Sequence, residues 1–205
     1  MTTTTRLLRW ALLLCAAVLL SACAYGRKIA YSTTVPDIEP QGTLSVAVGT
    51  SDQRPYIVSG DKTPTFVGLM RGGYGNPFNV NTVSGAPLAD DINASLSSAL
   101  SARGFTASSV SIASSDSTRA AKEKLVAKGA ERSVFVVLNE WKSDTFMNTS
   151  LLFDVVIRVF DGGGNELGSA DFKGNDNIGR GVILDAYKRK MESWFSDPRI
   201  VKALQ

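Results

Sequence analysis

A cysteine near the start of the chain, Cys23, stands in a context that favours chemistry on its thiol. Two small residues precede it, and an uncharged apolar run from Trp10 to Leu20 precedes those. Arg6 and Arg9 give the region before the run a positive charge. A basic start, a short apolar stretch and small residues before a cut site are typical of a secretory signal peptide. We therefore expect residues 1–22 to be a signal peptide that is removed by cleavage immediately before Cys23.

Two alternatives for the N-terminus stay open on sequence alone. One is an uncleaved membrane helix. Only the 17 residues from Trp10 to Gly26 lack charge, whereas a spanning helix needs about 20 apolar residues. The other is an ordinary signal peptide in which Cys23 is incidental.

Cleavage would change the charge and the cysteine content of the chain. The signal peptide holds Arg6 and Arg9, so its removal lowers Lys+Arg from 22 to 20, leaves Asp+Glu at 19 and brings the net charge from +3 to near +1. That balance does not favour nucleic acid as a partner. Cys15 would also be removed, so a mature chain with Cys23 alone can form no intramolecular disulfide.

The residue types that are missing narrow the possible chemistry. The chain contains no histidine, which excludes Ser-His-Asp and Cys-His nucleophiles and His-containing zinc sites. Asp90 and Asp91 are adjacent acids, but in the first turn of a predicted helix they are more typical of helix-dipole stabilisation than of catalysis. We therefore predict a protein that is not an enzyme, with no catalytic residues, no metal site and no cofactor.

Apolar patterning predicts one globular domain over residues 43–205. Residues 23–42 have little apolar periodicity and contain Pro36 and Pro40, so they are predicted to be a modified N-terminus followed by a linker. Within the domain, strands are predicted at 43–49, 66–70, 78–83, 106–113, 134–141, 151–160 and 166–174, and helices at 87–103, 116–128 and 182–195, with a last helical turn at 199–204.

This order of elements predicts an α+β (α/β) fold, built from a single mixed, mostly antiparallel sheet with about three helices packed on it. The last three strands follow one another through short connections, which favours an antiparallel meander. Trp141, Phe153, Tyr187 and Trp194 are expected in the core, with a ligand pocket as the alternative.

The glycine-rich segment from Arg71 to Pro77 is the first candidate binding loop. Its backbone N–H groups could hold an anion, and Arg71, Tyr74 and Asn76 would place polar and aromatic groups on an exposed loop. It lacks the Lys-Ser/Thr pair of a phosphate loop, and no helix follows it directly. A tight turn between two strands is the favoured alternative.

Asp52 and Arg54 are the second part of this candidate site. They follow the first strand of the predicted domain, where polar loop residues can bind a ligand. They can also pair with each other or cap a turn, which is the more common role of polar residues in such positions.

The chain resembles a known class of bacterial proteins at several points. Leu20–Cys23 resembles the lipobox of bacterial lipoproteins. Further along the chain, three features resemble the YajG-type lipoproteins of Gram-negative bacteria. They are the triplet Asp52–Arg54 after the early strand, the helix end Leu100–Phe105, and the paired strands around Trp141 and Phe153–Phe160. The likeness covers roughly residues 43–200, but the segment 71–77 is not part of that pattern.

The resemblance implies how the protein is anchored and where. In bacterial lipoproteins the cysteine thiol receives a diacylglyceryl group, a dedicated peptidase cuts before it, and the new amine is acylated, typically with palmitate. Cys23 is the matching residue. Ala24, rather than Asp, follows it, which implies the outer membrane, facing the periplasm. The family has no established activity from which a catalytic residue can be carried over.

These observations lead to three functional expectations. The first is a membrane-anchored, non-enzymatic binding or scaffolding module of the cell envelope, with the lipid bilayer and an envelope protein as partners. The second is a domain that binds a small ligand, such as a cell-wall fragment or an anion, through Arg54, Arg71 and the glycine-rich backbone. The third and least favoured is a carboxylate-based hydrolase, which would need two carboxylates roughly 5–9.5 Å apart.

Overall fold

A computed structural model describes residues 27–180 and 182–205 of the chain. The predicted signal peptide and Cys23 lie outside these described residues. Within them, no helix combines the length and apolar character that crossing a bilayer requires.

The described part of the chain contains eight strands and five helices. The strands are β1 (Lys28–Ile29), β2 (Ser45–Asp52), β3 (Phe66–Arg71), β4 (Pro77–Thr82), β5 (Thr106–Ser111), β6 (Arg132–Thr145), β7 (Thr149–Asp161) and β8 (Glu166–Gly179). The helices are α1 (Pro55–Val58), α2 (Leu88–Ala102), α3 (Thr118–Val126), α4 (Ile183–Phe195) and α5 (Pro198–Leu204).

All eight strands belong to one mixed sheet organised around β6. The long strand β7 pairs antiparallel along one edge of β6, and β8 pairs antiparallel with β7. The other edge of β6 is shared by two parallel strands, β2 along its first half and β3 at its end. Strand β5 extends the sheet beyond β2, while β4 and β1 extend it beyond β3. The predicted fold class is confirmed, and the longest ladders are the antiparallel ones.

The β6–β7–β8 meander follows from its sequence pattern. Apolar residues at alternate positions of β7 lie buried, while Asp154 and Arg158 lie on the less buried face. The turn after β7 is closed by Asp161, whose Oδ1 accepts hydrogen bonds from the backbone N–H groups of Gly163 and Asn165. Gly164 has a φ of +81°, a conformation that glycine adopts without steric cost.

Helices cover both faces of the sheet. Helix α2 carries an apolar stripe at helical spacing, formed by Leu88, Ile92, Leu96 and Leu100, and this stripe is fully buried. It shares the main core with β2, β6, β7, α4 and α5. Helix α3 packs on the opposite face, where side chains such as Leu125 form a second, smaller core.

The helix ends agree with the sequence to within a residue or two. Gly104 follows α2 with a φ of +97°, as expected of a helix terminator. Pro87 precedes α2 as its cap rather than forming its first turn. Asp197 caps α5 by accepting a hydrogen bond from the backbone N–H of Arg199.

The predicted linker is the part of the chain for which the structure differs most from expectation. Residues 27–42 pack on the domain: β1 pairs with β4, and Tyr31 and Ile38 are fully buried. The hydroxyl of Tyr31 accepts a hydrogen bond from Trp141 Nε1 at 3.0 Å, and its ring packs edge-on against Tyr187. The prediction of a linker is therefore wrong for residues 27–42. These buried contacts are with residues far along the chain, so no local periodicity indicates them.

Candidate functional site

A fork in the sheet brings the first predicted site residues together. Strand β2 pairs with β6 as far as Leu138, and β3 begins to pair with β6 at Ser143. Arg54 lies in the gap between them. Its Nη1 donates to the carbonyl oxygens of Phe66 at 2.8 Å and of Trp141 at 3.1 Å. The guanidinium therefore joins the start of β3 to β6 where strand-to-strand hydrogen bonds are missing.

Asp52 completes this arrangement. Its two carboxylate oxygens accept hydrogen bonds from Arg54 Nε at 2.7 Å and Nη2 at 2.6 Å, and both residues are buried. Burial acts to lower the pKa of the Arg54 guanidinium, but the hydrogen bonds and charge of Asp52 raise it above its ordinary value. Of the two roles that the sequence allows, the structure therefore displays the internal pair, and a ligand has no access to Arg54.

Tyr56 covers this buried pair. The centre of its ring lies 5.5 Å from Arg54 Cζ, and its hydroxyl donates to Glu140 Oε1. Burial is the largest cause that raises the pKa of the Tyr56 phenol. Sequence reasoning missed Tyr56 and Glu140, because they are 84 residues apart and no spacing rule connects them.

The glycine-rich segment forms the tight turn that the sequence favours. The backbone N–H of Gly72 donates to Asn76 O at 2.9 Å, and Gly75, with a φ of +82°, donates to Gly72 O. Arg71 ends β3 and makes a two-pronged ion pair with Asp144 of β6, with distances of 2.8 and 2.6 Å. The hydrogen bonds from Arg71 hold the pKa of Asp144 below its ordinary value. Arg71 thus fastens the β3–β4 hairpin to β6.

Two hairpins end side by side and expose apolar side chains. Strands β3 and β6 run parallel, with Met70 opposite Thr145, so the β3–β4 and β6–β7 turns lie at the same end of the sheet. Tyr74 in the first turn is 99% exposed, while Phe146 and Met147 in the second are 53% and 73% exposed.

Two arginines flank the second turn. Arg27 and Arg180 line one open groove of about 440 Å³ together with Phe146 and Met147. We call Tyr74, Phe146, Met147, Arg27 and Arg180 the tip face. Of these, the sequence singled out Tyr74. An apolar pair within a strand-to-strand turn, where polar residues are usual, was the signal for Phe146 and Met147.

The predicted binding loop therefore separates into two places. Asp52 and Arg54 are buried at the fork, whereas Tyr74 and Asn76 are exposed on the β3–β4 turn and Arg71 lies at its base. The five residues do not share one surface.

A second concave region lies at the carboxyl ends of β2 and β5, an edge at which α/β sheets commonly bind ligands. This cleft of about 430 Å³ is lined by the ends of both strands and by the start of α2, and its charged residues are Asp52, Asp90 and Lys124. Lys124 is paired with Asp116. With its cation neutralised, the cleft is poorly suited to an anion. Among the described residues, no group of three potential metal ligands occurs.

Comparisons with known proteins give partial similarities to solved structures. No protein-family model and no curated protein matches the sequence. Protein XCC0632 of Xanthomonas campestris, from the DUF330 family, is 10% identical over 80% of this chain and 90% of its own, with a TM-score of 0.45. A PelC dodecamer of Paraburkholderia phytofirmans is 13% identical over 84% and 94%, with a TM-score of 0.41.

A further similar structure is lipoprotein GNA1162 of Neisseria meningitidis. It is 14% identical over 72% of this chain and 94% of its own, with a TM-score of 0.32. Similarity at these levels assigns no function to this chain or to its residues.

Proposed function

We propose that this protein is a lipid-anchored module of the bacterial cell envelope that binds or scaffolds other envelope components and catalyses no reaction. The observation that carries this proposal is the basic, apolar and small-residue order that ends at Cys23. Acyl chains on that residue would contribute about 0.8 kcal/mol per buried CH₂, and more than one chain makes the attachment stable.

The fold begins soon after Cys23, and this determines how a lipid anchor would hold the domain. The described chain is already packed at Lys28, which pairs with Asn81 of β4. Arg27 lies four residues after Cys23, and at roughly 3.3–3.6 Å per residue that interval spans no more than about 14 Å. A lipid on Cys23 would therefore hold the domain directly against the membrane surface rather than on a long tether.

The outer membrane, on its periplasmic side, is the proposed location. It rests on Ala24, because the residue after the lipidated cysteine directs sorting in the lipoproteins that this chain resembles. Ala24 precedes β1, so this argument for the location does not depend on the fold of the domain.

The proposal that the protein catalyses no reaction is supported by the residues that could act as acids, bases or nucleophiles. The chain has no histidine. Asp52 is held by two hydrogen bonds from Arg54, and Asp91 is buried in α2. A carboxylate-based hydrolase needs one carboxyl group that can give up a proton and another facing the substrate. Asp52 is neutralised by Arg54 and Asp91 is buried, so neither is placed as a second carboxylate beside Asp90, the acid that faces the cleft.

Mass spectrometry of the protein purified from its own host's membranes tests the anchor. We expect a chain that begins at Cys23 and carries a diacylglyceryl group and one further acyl chain. The Cys23→Ala variant should lose both modifications and keep residues 1–22. A free thiol on Cys23 of the wild type, or a retained leader, would contradict the proposal. Density-gradient separation of the two membranes would then test the location.

Cross-linking in intact cells tests the binding role. We expect the wild type to capture the same envelope protein reproducibly, and a substitution on the exposed surface at the partner's cross-link to abolish capture without changing the unfolding temperature. Failure to recover any envelope partner under conditions that cross-link a known lipoprotein complex would count against a scaffolding role.

Binding of a small ligand remains a second candidate, and it moves from the glycine-rich loop to the cleft at the ends of β2 and β5. The cleft has the volume and the position for such a ligand. Neutral fragments of cell-wall sugars should then raise the unfolding temperature, and Ser114→Trp, which fills the cleft, should remove that shift. No shift with any of these compounds would leave the scaffolding role as the better account.

A further inference from the structure

We infer that the tip face lies against the phospholipid bilayer, so that the two hairpin turns touch the membrane to which the chain is anchored. This inference rests on the proposed lipid anchor at Cys23. It adds an orientation of the domain and a second, protein-mediated membrane contact.

The apolar part of the tip face is unusual for a surface turn. Phe146 and Met147 are consecutive and more than half exposed, and Tyr74 projects from the neighbouring turn almost free of contacts. Phe146 directly follows the last residue of β6, and Tyr74 lies three residues after the end of β3, so both turns present their apolar groups beyond the paired strands. Aromatic and other apolar side chains in such positions favour the boundary between headgroups and acyl chains.

The charge of this end complements an anionic surface. Arg27 and Arg180 line the groove beside Phe146, and Lys28 is also exposed. Within the described residues no ion pair is formed by these three cations. Asp144, the acid at the base of the turn, is already paired with Arg71. Basic residues near a membrane surface are attracted to anionic lipid headgroups.

The short interval between Cys23 and Arg27 favours the bilayer over a protein partner as the surface that the tip face contacts. Arg27 lines the same groove as Phe146 and Met147, and a lipid on Cys23 would lie within about 14 Å of it. The headgroup region on each side of a bilayer is roughly 5–8 Å thick. An anchor so close to the groove brings the tip face to the membrane before any soluble partner can cover it.

The long strands then set the direction of the rest of the molecule. Strand β7 runs 13 residues from the tip face to the turn at Asp161, a distance of roughly 40 Å at about 3.3 Å per residue. That turn and the adjacent Leu167, which is also exposed, would face away from the membrane.

Fluorescence quenching in vesicles tests this orientation with a matched pair of sites. Met147→Cys and Leu167→Cys, each in the full, membrane-purified chain, would be labelled with nitrobenzoxadiazole and reconstituted into phosphatidylethanolamine–phosphatidylglycerol vesicles. A phospholipid carrying a nitroxide on its acyl chain serves as the quencher. We expect strong quenching and a blue-shifted emission at position 147, and several-fold weaker quenching at position 167.

The possible results of this experiment distinguish the inferred orientation from the proposed anchor. Equal, weak quenching at 147 and 167 in protein whose Cys23 is shown by mass spectrometry to be acylated would overturn the inference while leaving the proposed anchor intact. Shielding of position 147 from aqueous iodide without quenching by the nitroxide lipid would mean that a second copy or another protein covers the tip, and it would also overturn the inference. An unmodified Cys23 would instead refute the proposed function.

Discussion

At the scale of single residues, Asp91 is an acidic side chain that is buried without a full set of hydrogen-bond partners. Asp91 lies in the first turn of α2, with 2% of its surface exposed, and its Oδ2 has no hydrogen-bond partner among the described residues. Burial raises its pKa above the ordinary value of 3.8. Asp90, its neighbour, is only partly buried and faces the cleft at the ends of β2 and β5. Two adjacent acids of one helix turn thus have different environments.

The pKa of Asp91 gives the sign of a pH effect. Because its pKa is higher in the folded state, the folded protein binds more protons than the unfolded chain at pH values between about 3.8 and the folded pKa. Stability therefore falls as pH rises through that window and stays reduced above it. Asp91→Asn should raise the free energy of unfolding at pH 7, by on the order of 1 kcal/mol. Urea denaturation at pH 7 and near pH 4 measures the difference, which should shrink at the lower pH.

Asp90→Asn is the matched control for this prediction. It removes a partly exposed negative charge from a helix N-terminus, which typically costs about 0.3–1 kcal/mol, so it should lower stability rather than raise it. An Asp91→Asn variant that unfolds more easily than the wild type at pH 7 would show that the burial of Asp91 is offset by donors.

The sequence predicted the roles of these residues only in part. The first-turn position of Asp90 and Asp91 follows from Pro87 and the apolar stripe, which are local signals. The pairing of Asp52 with Arg54 was one of the alternatives, since the residues are two apart. Their burial was not predictable, because the acceptors that fix Arg54 belong to Phe66 and Trp141, in strands brought together by the fold.

At the scale of elements, the fork between β2 and β3 depends on one side chain. Arg54 bonds both sides of the gap and neutralises a buried carboxylate. Arg54→Met would leave Asp52 buried and unpaired, and breaking a buried pair in this way typically costs about 3–5 kcal/mol. We expect a loss of that order in the free energy of unfolding, measured by urea denaturation.

A double variant keeps this prediction testable even where Arg54→Met does not fold. Asp52→Asn together with Arg54→Met removes both charges, and replacing a buried pair as a whole is far less costly than removing one partner. We expect the double variant to be more stable than Arg54→Met alone. A single variant within about 1 kcal/mol of the wild type would mean that water reaches the carboxylate and the fork does not need Arg54.

Helices and long hairpins were predictable at this scale, whereas the order of strands was not. The stripe of α2, the caps of α5 and the turn after β7 are all encoded within short windows. The division of one edge of β6 between β2 and β3 has no local signature, because it depends on which strands meet after the chain has folded. Strand β1 is two residues long, too short for any periodicity to indicate it.

At the scale of the whole molecule, residues 27–42 close the main core. Tyr31 joins an edge-to-face aromatic cluster with Trp141 and Tyr187, and Trp141 extends the cluster to Trp194. These aromatic residues come from β6, from α4 and from the segment that the sequence predicted to be a linker. The expected burial of Trp141, Tyr187 and Trp194 is confirmed, and the contribution of Tyr31 was missed.

Substitution of Tyr31 distinguishes a packed segment from a linker. Tyr31→Phe would leave the buried Trp141 Nε1–H without its acceptor, at a cost of about 1–3 kcal/mol. Tyr31→Ala should cost more, about 3–5 kcal/mol, because a cavity forms in the core. Thermal unfolding followed by near-ultraviolet circular dichroism measures both. Val35→Ala, at an exposed position of the same segment, should change stability by less than about 0.5 kcal/mol, and equal effects at 31 and 35 would contradict the packed arrangement.

The distance between Cys23 and the fold leads to a final prediction about the orientation of the molecule. A flexible Gly/Ser spacer of about 20 residues placed after Ala24 would span roughly 25 Å on average, which exceeds the reach of the native interval. The free energy of unfolding and the acylation of Cys23 should stay unchanged, because the insertion lies before β1 and after the cleavage site. Nitroxide-lipid quenching of the label at position 147 should fall towards the level at position 167, since three exposed apolar side chains bind a bilayer weakly without a short tether. Quenching that persists with the spacer would show that the tip face, rather than the closeness of the anchor, sets the orientation.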